Sequence, residues 1–120
     1  MIIGTTPTFT LSIPEDSGVN LSNATNIYFT IRQGSIIYTK TGSDITIVDE
    51  NTVTVSLTQE ETLSFKYLVD AEIQLNWTEG NKRYATKIRK IPLDKNLIRE
   101  VIEWWMDIGL NSFQNLINMI

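Results

Sequence analysis

From Thr8 to Leu93 the apolar residues fall on every second position, segment after segment, and that period admits strands and little else. The stretch TPTFTLSIP sets Phe9, Leu11 and Ile13 on one face and Thr8, Thr10 and Ser12 on the other, until Pro14 stops it. A polar run, EDSGVNLSNATN, separates it from NIYFTIRQ, where Ile27, Phe29 and Ile31 alternate with Tyr28, Thr30 and Arg32. Gly34-Ser35 is a tight hairpin signal before IIYTKT, and GSD turns the chain again. The pair ITIV and TVTVSL is joined by DEN, with β-branched residues dominant, as a half-buried pleated surface prefers. The clearest strand is VDAEIQLNW, with Val69, Ala71, Ile73, Leu75 and Trp77 against Asp70, Glu72, Gln74 and Asn76. After the loop TEGN, KRYATKIRKIPL reads as one returning strand with Tyr84, Thr86, Ile88 and Lys90 on one side. The reading is a mainly β protein: about seven short strands in an antiparallel β-sandwich of immunoglobulin-like shape over residues 1–93. The disulfide and tryptophan hallmarks of antibody domains are missing.

Beyond Pro92 the period changes. Leu97, Ile98, Val101, Ile102, Trp105 and Ile108 follow three- and four-residue spacing, with Asp94 as a candidate N-cap and Gly109 as a stop. Phe113, Leu116, Ile117 and Ile120 then share one face. The spacing predicts a C-terminal helical tail over 94–120: a helix, a glycine break and a short second helix.

With 120 residues the chain suits a single core, and its net charge of −4 does not favour a polyanionic partner. It contains no cysteine and no histidine. Disulfides, thiolate or imidazole metal sites and every histidine-dependent triad are therefore excluded within it. The cationic residues Lys82, Arg83, Lys87, Arg89 and Lys90 lie in one strand, with Arg83, Lys87 and Arg89 expected on one face and Lys82 and Lys90 on the other. A solvated strand accounts for them better than nucleic-acid contact. The start MIIGTTPTF is no signal peptide, and no stretch approaches the ~18 apolar residues of a membrane span.

The only conspicuous acidic pair, Glu60-Glu61, sits in SLTQEETLSF. Thr58 and Glu61 stand in the order Thr-x-x-Glu of a capping box, and Glu60 falls in the same first turn, where negative charge is favoured. Adjacent residues on a helical turn diverge by about 100°, which does not suit two carboxylates flanking one substrate atom. Asp44, Asp49 and Glu50 occupy turns, without the further oxygen ligands a calcium site needs. No phosphate-binding glycine loop and no Gly-x-Ser-x-Gly is present. The expectation is no enzyme, no cofactor, no metal and no small-molecule substrate.

The tail carries the chemistry that remains. Trp104 and Trp105 diverge on a helix, so one small core cannot enclose both, and two covered indoles bury ~150–250 Å² each. Left in water with the Phe113–Ile120 face, they would form a larger apolar patch than monomers usually show. Trp104, Trp105, Ile108, Phe113, Leu116 and Ile117 are the candidate protein interface, and the expected partners are further copies of this chain and other proteins. A membrane-surface helix fits less well, because the tail holds four acids against two basic residues.

The stretches MIIGTTPTFTLSIP, VTVSLTQEETLSF and AEIQLNW resemble a group of small proteins encoded in the tail and baseplate regions of phages and prophages of Gram-positive bacteria. Gly4, Thr5, Thr6, Pro7, Gln33, Leu57 to Leu63, Ile73, Gln74 and Leu75 carry the likeness, which spans about the first hundred residues and stops short of the Trp104–Ile120 tail. The resemblance implies a virion structural protein, a tail or baseplate component or attachment module, made in the host cytoplasm, with no catalytic residues. Two other classes stand beside it. One is an inhibitor of a host defence nuclease acting by charge mimicry, although the acids are scattered among lysines. The other is a carbohydrate-binding module using Tyr28, Tyr38, Trp77 and Tyr84 as stacking faces, although strand aromatics are more often core or cross-strand pairs.

Overall fold

A computed structural model describes residues 1–99. Among the described residues the protein is mainly β, with eight strands in two antiparallel sheets. They are β1 (Thr8–Ser12), β2 (Asn26–Gln33), β3 (Ile36–Thr41), β4 (Ile45–Asp49), β5 (Thr52–Ser56), β6 (Ala71–Glu79), β7 (Lys82–Ala85) and β8 (Arg89–Ile91). The α-helix α1 (Gln59–Leu63) links β5 to β6. The smaller sheet runs β1-β5-β4; the larger runs β3-β2-β6-β7, with β8 also paired to β6.

The period-two faces become the core. Ile27, Phe29 and Ile31 of β2, Ala71, Ile73, Leu75 and Trp77 of β6, and Val53 and Val55 of β5 are all buried, and Phe9, Leu11 and Ile13 pack against them half-buried. Phe9 of the smaller sheet stacks on Phe29 of the larger at 5.5 Å, so the two inner faces meet in a sandwich-like packing. At about 25 cal/mol per Å² of apolar area removed from water, this face-to-face burial is the main stabilising contribution. In β4 only Ile45 joins the core, while Ile47 and Val48 stay exposed beside a break in the β4–β5 register.

The returning strand differs from its sequence reading. Its ladder to β6 ends at Asn76↔Ala85 and resumes at Ile73↔Arg89, so Thr86, Lys87 and Ile88 stand opposite only Gln74 and Leu75. The extra residue is a β-bulge, and it exchanges the faces of everything after it. Thr86 bridges the gap: its N–H donates to the Leu75 carbonyl at 2.9 Å and its hydroxyl accepts from the Leu75 N–H at 3.1 Å. Arg89 and Ile91 therefore share the side of Ile73 and Ala71, and Lys90 pairs with Glu72 on the outer face, where Ile88 is exposed. The expected common face of Arg83, Lys87 and Arg89 does not exist as a strand face.

The second difference lies at Asp94. It caps no helix: Asp94 bridges Ile2 in parallel, its N–H donating to the Met1 carbonyl at 2.7 Å and its carbonyl accepting from Ile3 at 3.1 Å. Asn96 extends the tie by donating its amide to the Ile3 carbonyl, and its side-chain oxygen accepts from the Ile98 N–H. Residues 94–99 hold no helical turn. Main-chain pairing with the N-terminal segment outcompetes the helical pattern here, since an apolar stripe without a face to cover stabilises a helix only weakly. The remainder of the expected tail helix lies outside the described residues.

Candidate functional site

Four features could carry function: the α1 link, the loop that follows it, the outer sheet face and an open slot between the sheets. In α1 both reciprocal bonds of the capping box form: Glu61 N–H donates to Thr58 Oγ1 at 3.2 Å, and Thr58 N–H donates to Glu61 Oε1 at 2.8 Å. The other carboxylate oxygen of Glu61 meets Lys40 Nζ of β3 at 2.7 Å, with both side chains largely covered. Burial pushes the Glu61 carboxyl up. The Lys40 hydrogen bond, the Thr58 N–H, the Lys40 charge and the Thr58 hydroxyl together outweigh it and hold the group below its ordinary value of 4.5. This carboxylate is occupied in bolting α1 to the edge of the larger sheet. Thr62 is buried beside it and donates to the Thr5 carbonyl at 2.8 Å.

Gln33 is the polar residue whose importance the alternation pattern alone does not convey. It takes the next inward position after Ile31 and is buried. Its amide donates to the carbonyls of Lys66 and Val69 at 2.7 and 2.8 Å, and its oxygen accepts from the Lys66 N–H at 2.7 Å. One side chain thus stands in for three partners that loop 66–69 would otherwise lack. The loop so held places Leu68 at φ 71°, in the left-handed region that non-glycine residues seldom occupy. Leu68 is 84% exposed there, beside exposed Val69.

The chain leaves the described structure at the same end. Leu68 N–H donates to the Leu93 carbonyl, and Lys95 and Arg99 lie over the Tyr67 ring at 5.7 and 5.1 Å. Leu97 is 91% exposed and Ile98 about half. Loop 66–69 and segment 93–99 thus meet at one end, where Leu68, Val69, Leu97 and Ile98 are exposed and two cations lie over Tyr67. The candidate interface residues Trp104, Trp105, Ile108, Phe113, Leu116 and Ile117 all lie outside the described residues.

The four aromatic residues considered for glycan stacking separate. Trp77 is buried and stacks on Tyr84 at 5.6 Å across β6–β7. Tyr38 sets its ring edge-on to Phe65 and donates its hydroxyl to Ser64 Oγ at 2.8 Å. Tyr28 alone presents an exposed ring, on the outer face of β2. The acids do not mass either: besides Glu61, Glu72 pairs with Arg32 at 3.1 Å. Among the described residues no three His, Cys, Asp or Glu side chains are grouped to hold a metal ion, and no helix is long and apolar enough to cross a membrane.

Between β1 and the β7–β8 edge the sandwich is open. A cleft of about 460 Å³ lies there, with Leu11, Ile13, Leu75, Trp77 and Tyr84 in its wall and Lys87 and Arg89 among its lining residues. Trp77 Nε1 is fully buried and has no hydrogen-bond partner among the described residues. No known protein-family model matches this chain, and no curated protein matches it.

Proposed function

We propose that the protein is a non-enzymatic structural component of a phage tail or baseplate, a rigid block that works by packing against copies of itself and against other virion proteins. The observation that carries this reading is the apolar end built by Leu68, Val69, Leu97 and Ile98, from which an aromatic-rich segment continues. Single exposed apolar residues are ordinary, but several exposed at one end of a domain, followed in sequence by a further apolar segment, suit a contact surface. A left-handed leucine offering its side chain to solvent adds to it, because backbone strain persists where a use maintains it.

The immunoglobulin-like assignment belongs to the same proposal. Strand order β1-β5-β4 corresponds to B-E-D of that fold, and β3-β2-β6-β7 corresponds to C′-C-F-G, with no counterpart for strand A among the described residues. The residues behind the phage resemblance hold the scaffold. Gly4 sits at φ 76° with Leu63 only 3.0 Å from where a Cβ would stand, Gln33 clamps the loop, and Thr58 and Glu61 cap α1. They support a common frame for attachment, while contact residues are free to differ.

Mass spectrometry of purified particles, from cells whose prophage or phage carries this reading frame, tests the proposal. We expect the chain in the particles at a ratio set by tail symmetry. Its absence from them, with the chain recovered instead in a soluble complex with a host nuclease, would favour the inhibitor reading.

A further inference from the structure

We infer that β1 is a second contact between copies of this chain: two β1 edges pair antiparallel about a two-fold axis at Thr10, joining two three-stranded sheets into one. This rests on the packing role proposed above, because the apolar end is what brings the copies together.

The first observation is that β1 is the one sheet edge among the described strands with no device against pairing. Edges are ordinarily blunted by inward charges, bulges or cationic side chains. β3 carries an inward charge, Lys40, opposite Phe29 and tied to Glu61 of α1. β4 breaks its register between Ile47 and Asp49. The β7–β8 edge is interrupted by the bulge and holds Lys82, Arg83, Lys87, Arg89 and Lys90. β1 reads Thr-Phe-Thr-Leu-Ser, carries no charge, and pairs β5 in unbroken register from Thr8↔Ser56 to Ser12↔Thr52.

The second is where its main-chain groups point. Ile13 N–H donates to the Asn51 carbonyl and Leu57 N–H to the Pro7 carbonyl, so the odd-numbered residues bond toward β5. The alternation of an antiparallel ladder turns the N–H and C=O of Thr8, Thr10 and Ser12 outward. Pro14, next in that outward series, has no N–H and ends it. On the inner face Phe9, Leu11 and Ile13 are only half-buried, whereas Val53 and Val55 of the adjoining β5 are buried. A neighbouring strand would cover what is left.

The third is that this edge suits its own copy. Antiparallel pairing about Thr10 sets Thr8 opposite Ser12 of the second copy, Thr10 opposite Thr10, and Phe9 opposite Leu11. Hydroxyl meets hydroxyl, apolar meets apolar, and no like charges oppose. The same hydroxyl pairing exists on the other side of β1: Thr8 Oγ1 lies 2.8 Å from Ser56 Oγ, and Ser12 Oγ 3.4 Å from Thr52 Oγ1. Self-pairing of the β7–β8 edge would instead crowd cations together. A five-residue strand pair covers less than the roughly 1,200 Å² of a stable interface, so it forms where the apolar end already holds copies at high effective concentration.

Single cysteines in the otherwise cysteine-free full chain test the register. Facing residues of a hydrogen-bonded pair have Cα atoms about 5.5 Å apart, within disulfide reach. Residues four positions out of register are separated by about 13 Å along the strand, beyond it. Under mild oxidation Thr10→Cys is expected to link to its own copy. Thr8→Cys and Ser12→Cys alone should give severalfold less dimer, and a mixture of the two should recover the link. Thr46→Cys, exposed on β4, gives the background. This pattern supports the inference. Any other ranking, in a full chain that light scattering shows to be associated, overturns it and leaves the packing role standing. A full chain that is monomeric and lacks the pattern overturns both.

Discussion

Gln33 shows how one residue positions a candidate contact surface. Replacing it with leucine keeps the burial but leaves the Lys66 N–H and the Lys66 and Val69 carbonyls without their partner. Unsatisfied buried groups cost about 1–3 kcal/mol each. We expect Gln33→Leu to lower unfolding stability by about 3 kcal/mol in chemical denaturation, with faster hydrogen exchange concentrated in residues 66–69. Leu68 offers the reverse case. Its φ of 71° strains any residue with a Cβ, and its exposed side chain loses little burial when removed. Leu68→Gly should stabilise the fold by up to about 1 kcal/mol and weaken self-association, a combination that thermal melts and sedimentation read separately. A stabilised variant that associates as tightly as the parent would remove Leu68 from the contact. Neither role is visible in the alternation alone: it places Gln33 inward but does not identify its loop partners, and positive φ at a leucine has no sequence signature.

At the scale of single elements, α1 was legible and the returning strand, β7 and β8, was not. Thr58-x-x-Glu61 names its own hydrogen bonds, because capping is local. Lys40 is distant in sequence, so its ion pair with Glu61 could not be read from the motif. Thr58→Ala should cost about 1 kcal/mol, measured by urea denaturation. The pH dependence follows from the depressed Glu61 carboxyl. A carboxylate whose pKa is lower in the folded state contributes stability above its ordinary value, and that contribution is lost as pH falls through 4.5 and below. Lys40→Met removes the ammonium that helps hold the pKa down. The variant should therefore be less stable than the parent near neutrality, and the gap should close as pH drops below 4.5. A gap that stays constant to pH 3 would show that the pair contributes only packing. The bulge at Thr86–Ile88 escaped the sequence reading because Thr, Lys and Ile are all ordinary strand residues, and the misalignment shows only against the partner β6. Asp94 misled for a similar reason: an acid before an apolar stripe is an N-cap signal, yet the N-terminal segment claims its main chain first.

For the whole molecule, the period-two pattern sufficed for the class of fold, since two half-buried faces must cover each other. It did not reveal the cleft between β1 and the β7–β8 edge. The central claim is that the apolar carboxyl end is covered by a neighbouring molecule, and native mass tests it most directly. Light scattering on the full chain and on a chain ending at Ile102 should show an oligomer in the first and a folded monomer in the second. A monomer in both, with the indoles of Trp104 and Trp105 shielded from quencher in the full chain, would contradict it.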